Sequence, residues 1–202
     1  KLFLRRFMPA FCVVSCVSLV CTAAEPIDVG SHRELFVDDH VIEKIEGDAR
    51  LELQQPVPRE VALVTGKPWE GNSCAYYTVF GDTDASGKAI FRMYYRGSNY
   101  SRELRDQTHR QVVCYAESRD AIHWTKPKLG LVKFGDSKEN NIVWEGAGAH
   151  CFTPFKDTSP NCRPEARYKA LSQVHRTGRP HYAVQGEMTV FAYTSPDGIR
   201  WS

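Results

Sequence analysis

The chain has 202 residues, of which 11% are aromatic and 25% are charged, and this length suffices for one domain with a real core. Three of its 26 Lys and Arg residues lie in the first 24 positions, so 23 remain beyond them against 24 Asp and Glu, a net charge of −1. This balance, without any Lys/Arg run, argues against nucleic acid as a partner.

The first 24 residues have the pattern of a secretory signal peptide. Positive charge comes first, an uncharged apolar run follows over residues 7–20, and small residues at 22–24 favour cleavage before Glu25. A membrane anchor is one alternative, because the uncharged stretch 7–24 is just long enough to span a bilayer at a tilt. A lipoprotein leader is another, since Val13-Val14-Ser15-Cys16 resembles a lipoprotein cleavage box. All three interpretations place residues 25–202 outside the cytoplasm: secreted, periplasmic or at the cell surface.

The next stretch carries two adjacent carboxylates. A short strand is predicted over residues 34–39, ending in Asp38 and Asp39, and the alternation at residues 51–53 predicts another. Asp38 and Asp39 are candidate catalytic residues, because neighbouring carboxyl groups can be tuned to different protonation states. Capping of the strand is the alternative role.

Two copies of the pattern Ser-x-Asp-x-Ile-x-Trp, at residues 118–124 and 195–201, lie 77 residues apart. In the second copy Asp197-Gly198 is a strong turn signal, Ser195 can bond the local backbone, and the Trp can cover the end of a hairpin. The first copy is a weaker version, because Ala121 stands where glycine would take a positive φ without steric cost.

The similarity extends upstream of these turns. Residues 78–82 match residues 153–157 at an offset of 75, and Arg92 stands opposite Arg167 at the same offset. A repeat of three or four strands is typical of a β-propeller blade, which predicts an all-β fold. The predicted blades span about residues 69–130 and 141–202, with strands at 75–80, 89–95, 111–117, near Trp124, and at 151–155, 168–172 and 188–193, and a linking strand at 141–144. Two blades cannot close a ring, so we expect an N-terminal part of a longer propeller.

Antiparallel strands bring the residues before the first strand and after the second strand to one edge of each blade. In the first blade these are Trp69, Glu70, Asn72 and Arg96, and in the second His150. A sugar site uses carboxylates for acid/base work, Arg and Asn for hydroxyl groups, and an aromatic platform. Glu70 is the catalytic candidate and the others are substrate-binding candidates. A solvated loop carboxylate for Glu70, an Arg96–Glu70 ion pair, and a structural hydrogen-bonding His150 are the alternatives.

Four cysteines lie beyond the leader, without a Cys-x-x-Cys pair, so neither a structural zinc site nor another cofactor is expected. Cys151 and Cys162 flank one predicted strand and its loop, where a disulfide can form in an oxidising compartment. Cys74 and Cys114 are interpreted as buried small apolar residues. The turn carboxylates are interpreted as structural: Asp82, Asp120, Asp157 and Asp197.

Several stretches together resemble a known family. They are Glu-Leu-Phe-Val-Asp-Asp at 34–39, Pro-Trp-Glu-Gly-Asn at 68–72, Met-Tyr-Tyr-Arg-Gly at 93–97, and the two Ser-x-Asp turns. In these the chain resembles the secreted five-bladed β-propeller glycoside hydrolases around families 32 and 43, over roughly residues 27–202. The resemblance implies five blades in the full-length protein, a carbohydrate substrate, and hydrolysis by two carboxyl groups.

One departure from that family concerns its catalytic residues. The family usually carries an Asp about four residues before the Phe of the inner strand, where this chain has Tyr76 and Cys151. That Asp is therefore not carried over, Tyr76 becomes a substrate-binding candidate, and the family's general acid would fall in a later blade. A secreted glycosidase is the leading expectation, and a non-catalytic carbohydrate- or protein-binding propeller is the alternative. A sialidase-like hydrolase is a third option that needs an arginine cluster on the inner strands.

Overall fold

A computed structural model of the chain describes residues 25–175, apart from 26, 33 and 36, and residues 188–202. The predicted signal peptide at 1–24 lies outside the described residues. The chain divides into two compact units, Lys1–Val57 and Pro58–Ser202. No helix within the described ranges is long and apolar enough to cross a membrane.

The described residues of the first unit form turns and irregular chain. The strands predicted at residues 34–39 and 51–53 are not formed at the described positions. The Asp38 carboxylate accepts a hydrogen bond from the His40 backbone N–H at 3.0 Å, and the Ile42 N–H donates to the Asp39 carbonyl at 3.1 Å. These local bonds occupy backbone groups that a strand would need for pairing, so the stretch forms turns instead.

The second unit consists of antiparallel sheets with almost no helix, which confirms the predicted all-β class. Its first sheet contains β1 (Ala75–Thr83), β2 (Ala89–Gly97), β5 (Val112–Ser118), β6 (Trp124–Thr125) and β7 (Ile142–Glu145), while β3 (Tyr100–Ser101) and β4 (Asp106–Gln107) form a separate small ribbon. The order in the first sheet is β1-β2-β5-β6, and β7 also pairs with β5. The short strands β6 and β7 therefore both lie beside β5, each along a different part of it.

The second sheet is a smaller meander with the order β10-β9-β8. It contains β8 (Thr153–Lys156), β9 (Tyr168–His175) and β10 (Met188–Ser195), and a 3₁₀ helix (Pro164–Ala166) precedes β9. The strands predicted for the two blades are formed, with ends shifted by a few residues. The described residues form no closed ring, so the blade count stays a prediction.

The cross-strand register corrects the predicted alignment of the repeat. Phe80 pairs with Arg92 in the first sheet, and Phe155 pairs with Lys169 in the second. The counterpart of Arg92 is therefore Lys169 and not Arg167. The offset grows from 75 to 77 because the paired positions Phe155 and Lys169 are two residues further apart in sequence than Phe80 and Arg92.

The inner strands of the first sheet, β2 and β5, are buried on both faces. Since side chains alternate across a strand, Tyr94 and Val113 point to one face while Tyr95 and Cys114 point to the other. The first face packs against the second sheet and the segment leading to it, through Phe152, Ala170 and Tyr193. The other face is covered by partly buried side chains from the flanking segments, including Leu63, Trp69, Trp124 and Phe134.

The two Ser-x-Asp turns have the same hydrogen bonds, which confirms the predicted hairpin ends. The Ser hydroxyl accepts the N–H three residues on, at 3.0 Å in the first turn (Ala121) and 2.9 Å in the second (Gly198). The Asp side chain accepts the N–H groups two and three residues on, and the Trp Nε1 donates to the carbonyl three residues back. Ala121 has φ 62° and Gly198 has φ 75°, so both turns need a left-handed residue.

All four described cysteines are free thiols. Cys151 and Cys162, between which the sequence allows a disulfide, do not form one: Cys151 Sγ lies 3.6 Å from Ser172 Oγ, and Cys162 Sγ lies 3.4 Å from the Ala166 carbonyl oxygen. Each thiol is held by its own local contacts. Cys114 is buried as predicted, and burial raises the pKa of its thiol.

Candidate functional site

Trp69 and Asn72, both predicted to bind substrate, make hydrogen bonds that join segments of the protein. The Trp69 indole N–H donates to Asn141 Oδ1 at 2.7 Å. The Asn72 side chain accepts from the Tyr100 N–H at 2.9 Å and donates to the Tyr100 carbonyl at 3.0 Å, as a neighbouring strand would. The structure therefore gives both residues a role in holding the segment before β1 in place.

Glu70, the carboxylate predicted at the sheet edge, is completely buried. It accepts hydrogen bonds from the Tyr95 hydroxyl at 2.6 Å and the Lys67 N–H at 2.8 Å, and it forms an ion pair with Lys126. Burial, reinforced by the nearby Cys114 thiol and by Glu70, raises the pKa of Tyr95, so this phenol stays protonated and donates. Glu70 is neither a solvated loop residue nor the partner of Arg96, and its carboxylate is not open to solvent.

Asp38 and Asp39 lie in the first unit, where both side chains are exposed. The described residues of that unit give them only the local turn bonds noted above. Their predicted catalytic role stays a prediction.

The other three predicted residues, Tyr76, Arg96 and His150, come together between the two sheets. Tyr76 lies near the start of β1 and Arg96 near the end of β2, so antiparallel pairing brings them to one edge, and His150 precedes β8. Gln111, just before β5, joins them. These four residues are called the edge cluster. Strand direction indicated Arg96 and His150 at this edge, whereas Tyr76 was named from its position four residues before Phe80.

A chain of hydrogen bonds runs through the edge cluster. Tyr76 Oη lies 3.3 Å from His150 Nε2, and His150 Nδ1 lies 3.0 Å from Gln111 Oε1. An amide oxygen can only accept, so the Gln111 contact favours the tautomer with the proton on Nδ1 and the Nε2 lone pair toward the Tyr76 hydroxyl. In this tautomer Arg96 Nη1, 3.1 Å from Nδ1, makes no hydrogen bond to that nitrogen. In many active sites a hydroxyl acts as nucleophile or acid, an imidazole acts as its base, and a third group orients the imidazole. Tyr76, His150 and Gln111 stand in this order.

Arg96 packs against this chain. Its guanidinium carbon lies 4.8 Å from the centre of the Tyr76 ring, its Nη2 donates to the Ser73 carbonyl at 3.1 Å, and its Nη1 lies 3.1 Å from His150 Nδ1. Within the described part of the chain, Arg96 Nε and Gln111 Nε2 are buried donors without a hydrogen-bond partner. The cluster therefore has more donors than acceptors, which suits a ligand rich in oxygen acceptors.

The backbone at Tyr76 is strained. A β-bulge interrupts the pairing of β1 with β2 between Ala75 and Thr78, and Tyr76 has φ 57°, unusual for a bulky residue. Bulges re-aim side chains, and such strain often accompanies function. Tyr76 is 50% exposed, so its phenol ring is accessible in the cluster. Tyr77 is 49% exposed but stacks on Tyr95, with ring centroids 5.4 Å apart, on the other face of the sheet.

Two polar residues at this end of the sheet were not predicted as site residues. Gln111 could have been found by strand direction, because the third strand of a meander starts at the edge where the second ends. Glu145 ends β7 on the sheet face opposite Arg96, and the sequence indicated only a linking strand there. It pairs with Arg110 in a groove of about 590 Å³, also lined by His109, Lys133, Phe134 and Gly135.

The fold and the cluster define an all-β protein with a polar, aromatic site at a sheet edge. No family model, no curated protein and no solved structure matches the chain. Within the described residues, no group of three or more His, Cys, Asp or Glu side chains is placed to hold a metal ion.

Proposed function

We propose that this chain is part of a secreted, propeller-type protein that binds carbohydrate, and that the edge cluster holds the sugar. The observation that carries the proposal is the contact of the accessible Tyr76 phenol ring with Arg96 and His150. Sugars present apolar C–H faces and ring hydroxyl groups. The Tyr76 ring suits the former, and guanidinium, imidazole and amide groups suit the latter.

Glycoside hydrolysis is the second candidate. The resemblance to propeller glycosidases favours it, and so does Glu145, a carboxylate that lines a groove at the same end of the first sheet. Hydrolysis uses a pair of carboxyl groups. Glu145 in the second unit is one candidate, and the neighbouring Asp38 and Asp39 in the first unit are separate candidates, all with exposed or partly exposed side chains.

The test is titration of the purified full-length protein against a panel of neutral and acidic oligosaccharides. We expect saturable binding that Arg96→Ala weakens about tenfold or more, in line with the loss of a charge-assisted hydrogen bond. Arg119→Ala is the matched control, because Arg119 is exposed at the other end of β5, where it pairs with Asp84. Folded protein that binds no glycan on the panel would overturn the proposal.

The same panel tests hydrolysis. Release of reducing ends that is lost in Glu145→Gln, or in the double substitution of Asp38 and Asp39 by Asn, would support a glycosidase. Binding without release would favour a binding protein.

A further inference from the structure

The described members of the edge cluster include a phenol, an imidazole, an amide and a guanidinium, but no carboxylate. A glycosidase needs two carboxyl groups, whereas one other way of breaking a glycosidic bond needs none. We propose that the edge cluster cleaves uronate-containing polysaccharides by β-elimination. This inference rests on the proposed carbohydrate binding and adds a substrate class and a reaction to it.

The reaction starts at the hydrogen on C5 of a uronate, which is acidic because the neighbouring carboxylate can share the charge left behind. Removal of this proton leaves an electron pair that forms a C4–C5 double bond. The C4–O bond then breaks, and its electrons leave with the glycosidic oxygen, which takes up a proton. Water is not consumed, and the products are an unsaturated uronate and a new hydroxyl group.

Tyr76 and His150 can supply both proton transfers. The Tyr76 hydroxyl faces the His150 Nε2 lone pair, so His150 can take the phenol proton while the phenolate removes the C5 proton. Tyr76 then gives this proton to the leaving oxygen, and His150 returns the first proton to Tyr76. Gln111 is a positioning residue, because its amide oxygen fixes the proton on His150 Nδ1.

Arg96 can hold the substrate carboxylate. The guanidinium lies 4.8 Å from the Tyr76 ring centre and has a donor, Nε, without a partner among the described residues. The uronate carboxylate gains negative charge in the transition state, when the C5 proton leaves. An ion pair with the Arg96 guanidinium would stabilise this added charge and so lower the barrier. The half-exposed Tyr76 ring leaves room for a sugar to approach.

The experiment incubates the full-length protein with polygalacturonate, alginate and, as the neutral probe, cellulose. Ultraviolet absorbance measures the conjugated double bond, a reducing-end assay measures chain cleavage, and titration measures binding. We expect absorbance and reducing ends to rise together on at least one uronate polymer and not on cellulose. Tyr76→Phe should lower this rate about 100-fold or more while binding persists, as expected for loss of an acid/base group.

Tyr77→Phe is the matched control, because Tyr77 is a neighbouring, equally exposed phenol outside the hydrogen-bond chain, and its rate should stay within about twofold. Thermal unfolding checks that both variants are folded. Binding of a uronate polymer without absorbance overturns the elimination and keeps the proposed function. Reducing ends without absorbance overturn it in favour of hydrolysis. No binding to any polymer removes both proposals.

Discussion

At the scale of single residues, the two Ser-x-Asp turns differ at one position. Both need a left-handed residue after the Asp, and the first turn uses Ala121 where the second uses Gly198. A left-handed alanine costs roughly 1–2 kcal/mol, because Cβ crowds the following carbonyl oxygen. Ala121 therefore retains strain that Gly198 does not.

We predict that Ala121→Gly stabilises the protein by about 0.5–1 kcal/mol, since the relieved strain exceeds the entropy that glycine adds to the unfolded chain. Gly198→Ala should destabilise it by more, because the added Cβ would lie 2.8 Å from the Tyr94 hydroxyl as well as in a left-handed conformation. Urea unfolding midpoints of the two variants measure both effects. If Gly198→Ala lowered the unfolding midpoint only as much as Ala121→Gly raised it, the steric role given to the Tyr94 hydroxyl would be contradicted.

At the scale of the elements, Glu70 joins three parts of the first sheet. Its carboxylate connects the turn before β1, the Tyr95 hydroxyl on β2, and Lys126 just after β6. Lys126 is only 17% exposed, so it depends on Glu70 for its counter-ion. Removing one partner of such a pair leaves an uncompensated charge in the interior.

We predict that Glu70→Gln destabilises the protein by about 3 kcal/mol. The double variant Glu70→Gln with Lys126→Met should recover much of this loss, because it removes the stranded charge. Urea unfolding free energies check both values. The double variant also isolates chemistry from folding: loss of glycan cleavage in this stable protein would give Glu70 a catalytic role that its burial does not suggest.

At the scale of the whole molecule, one aspartate connects the two sheets of the second unit. Asp82, at the end of β1, accepts from Arg92 Nε, Lys156 Nζ and the Tyr168 hydroxyl, each at 2.5 Å. Burial acts to raise the pKa of Asp82, but the bonds from Lys156 and Tyr168 outweigh it, and the pKa is lowered. The ionised carboxylate is therefore favoured in the folded protein.

This lowered pKa predicts how stability depends on pH. The contribution of Asp82 is fully present above its ordinary pKa of 3.8 and is lost as pH falls through the lower value of the folded protein. Asp82→Asn should cost about 3 kcal/mol at pH 7 and less at pH 3, as measured by urea unfolding. Asp157→Asn is the control: Asp157 occupies the equivalent position in the second sheet, but its ion-pair partner Lys169 belongs to the same sheet.

Hydrogen bonds from Lys169, the larger effect, and from the Ser159 N–H lower the pKa of Asp157 to about 2. The pKa of Asp157 is therefore shifted in the same direction as that of Asp82. Substitution of Asp157 should change stability less, because no contact between the sheets is lost. A loss as large as that of Asp82→Asn would contradict the linking role.

The parts of the fold that depend on local signals were predictable. The strands of both sheets alternate or end at turn residues, and the direction of antiparallel strands placed Arg96 and His150 at one edge. The repeat itself was visible because both turns carry the same side-chain bonds.

The errors concern contacts that depend on distant or variable parts of the chain. Glu70 was expected to be exposed, but its partner Lys126 comes 56 residues later in a loop without any pattern. Arg167 was aligned with Arg92 because the two extra residues between the paired positions Phe155 and Lys169 cannot be seen without the register. Residues 34–39 have strand-like composition, yet local side-chain bonds form turns there instead.

The second Ser-x-Asp turn, unlike the first, is docked on the first sheet. Arg92 donates to the Asp197 carbonyl at 3.0 Å, and the Tyr94 hydroxyl donates to the Gly198 carbonyl at 2.8 Å. If the two sheets arose by duplication, their turns have since diverged under unequal constraint. In the first turn, alanine in place of glycine costs only the strain of a left-handed backbone. In the second turn, alanine at position 198 would also collide with the Tyr94 hydroxyl. In homologues we therefore expect positions 92, 94 and 198 to change together, and position 121 to change alone.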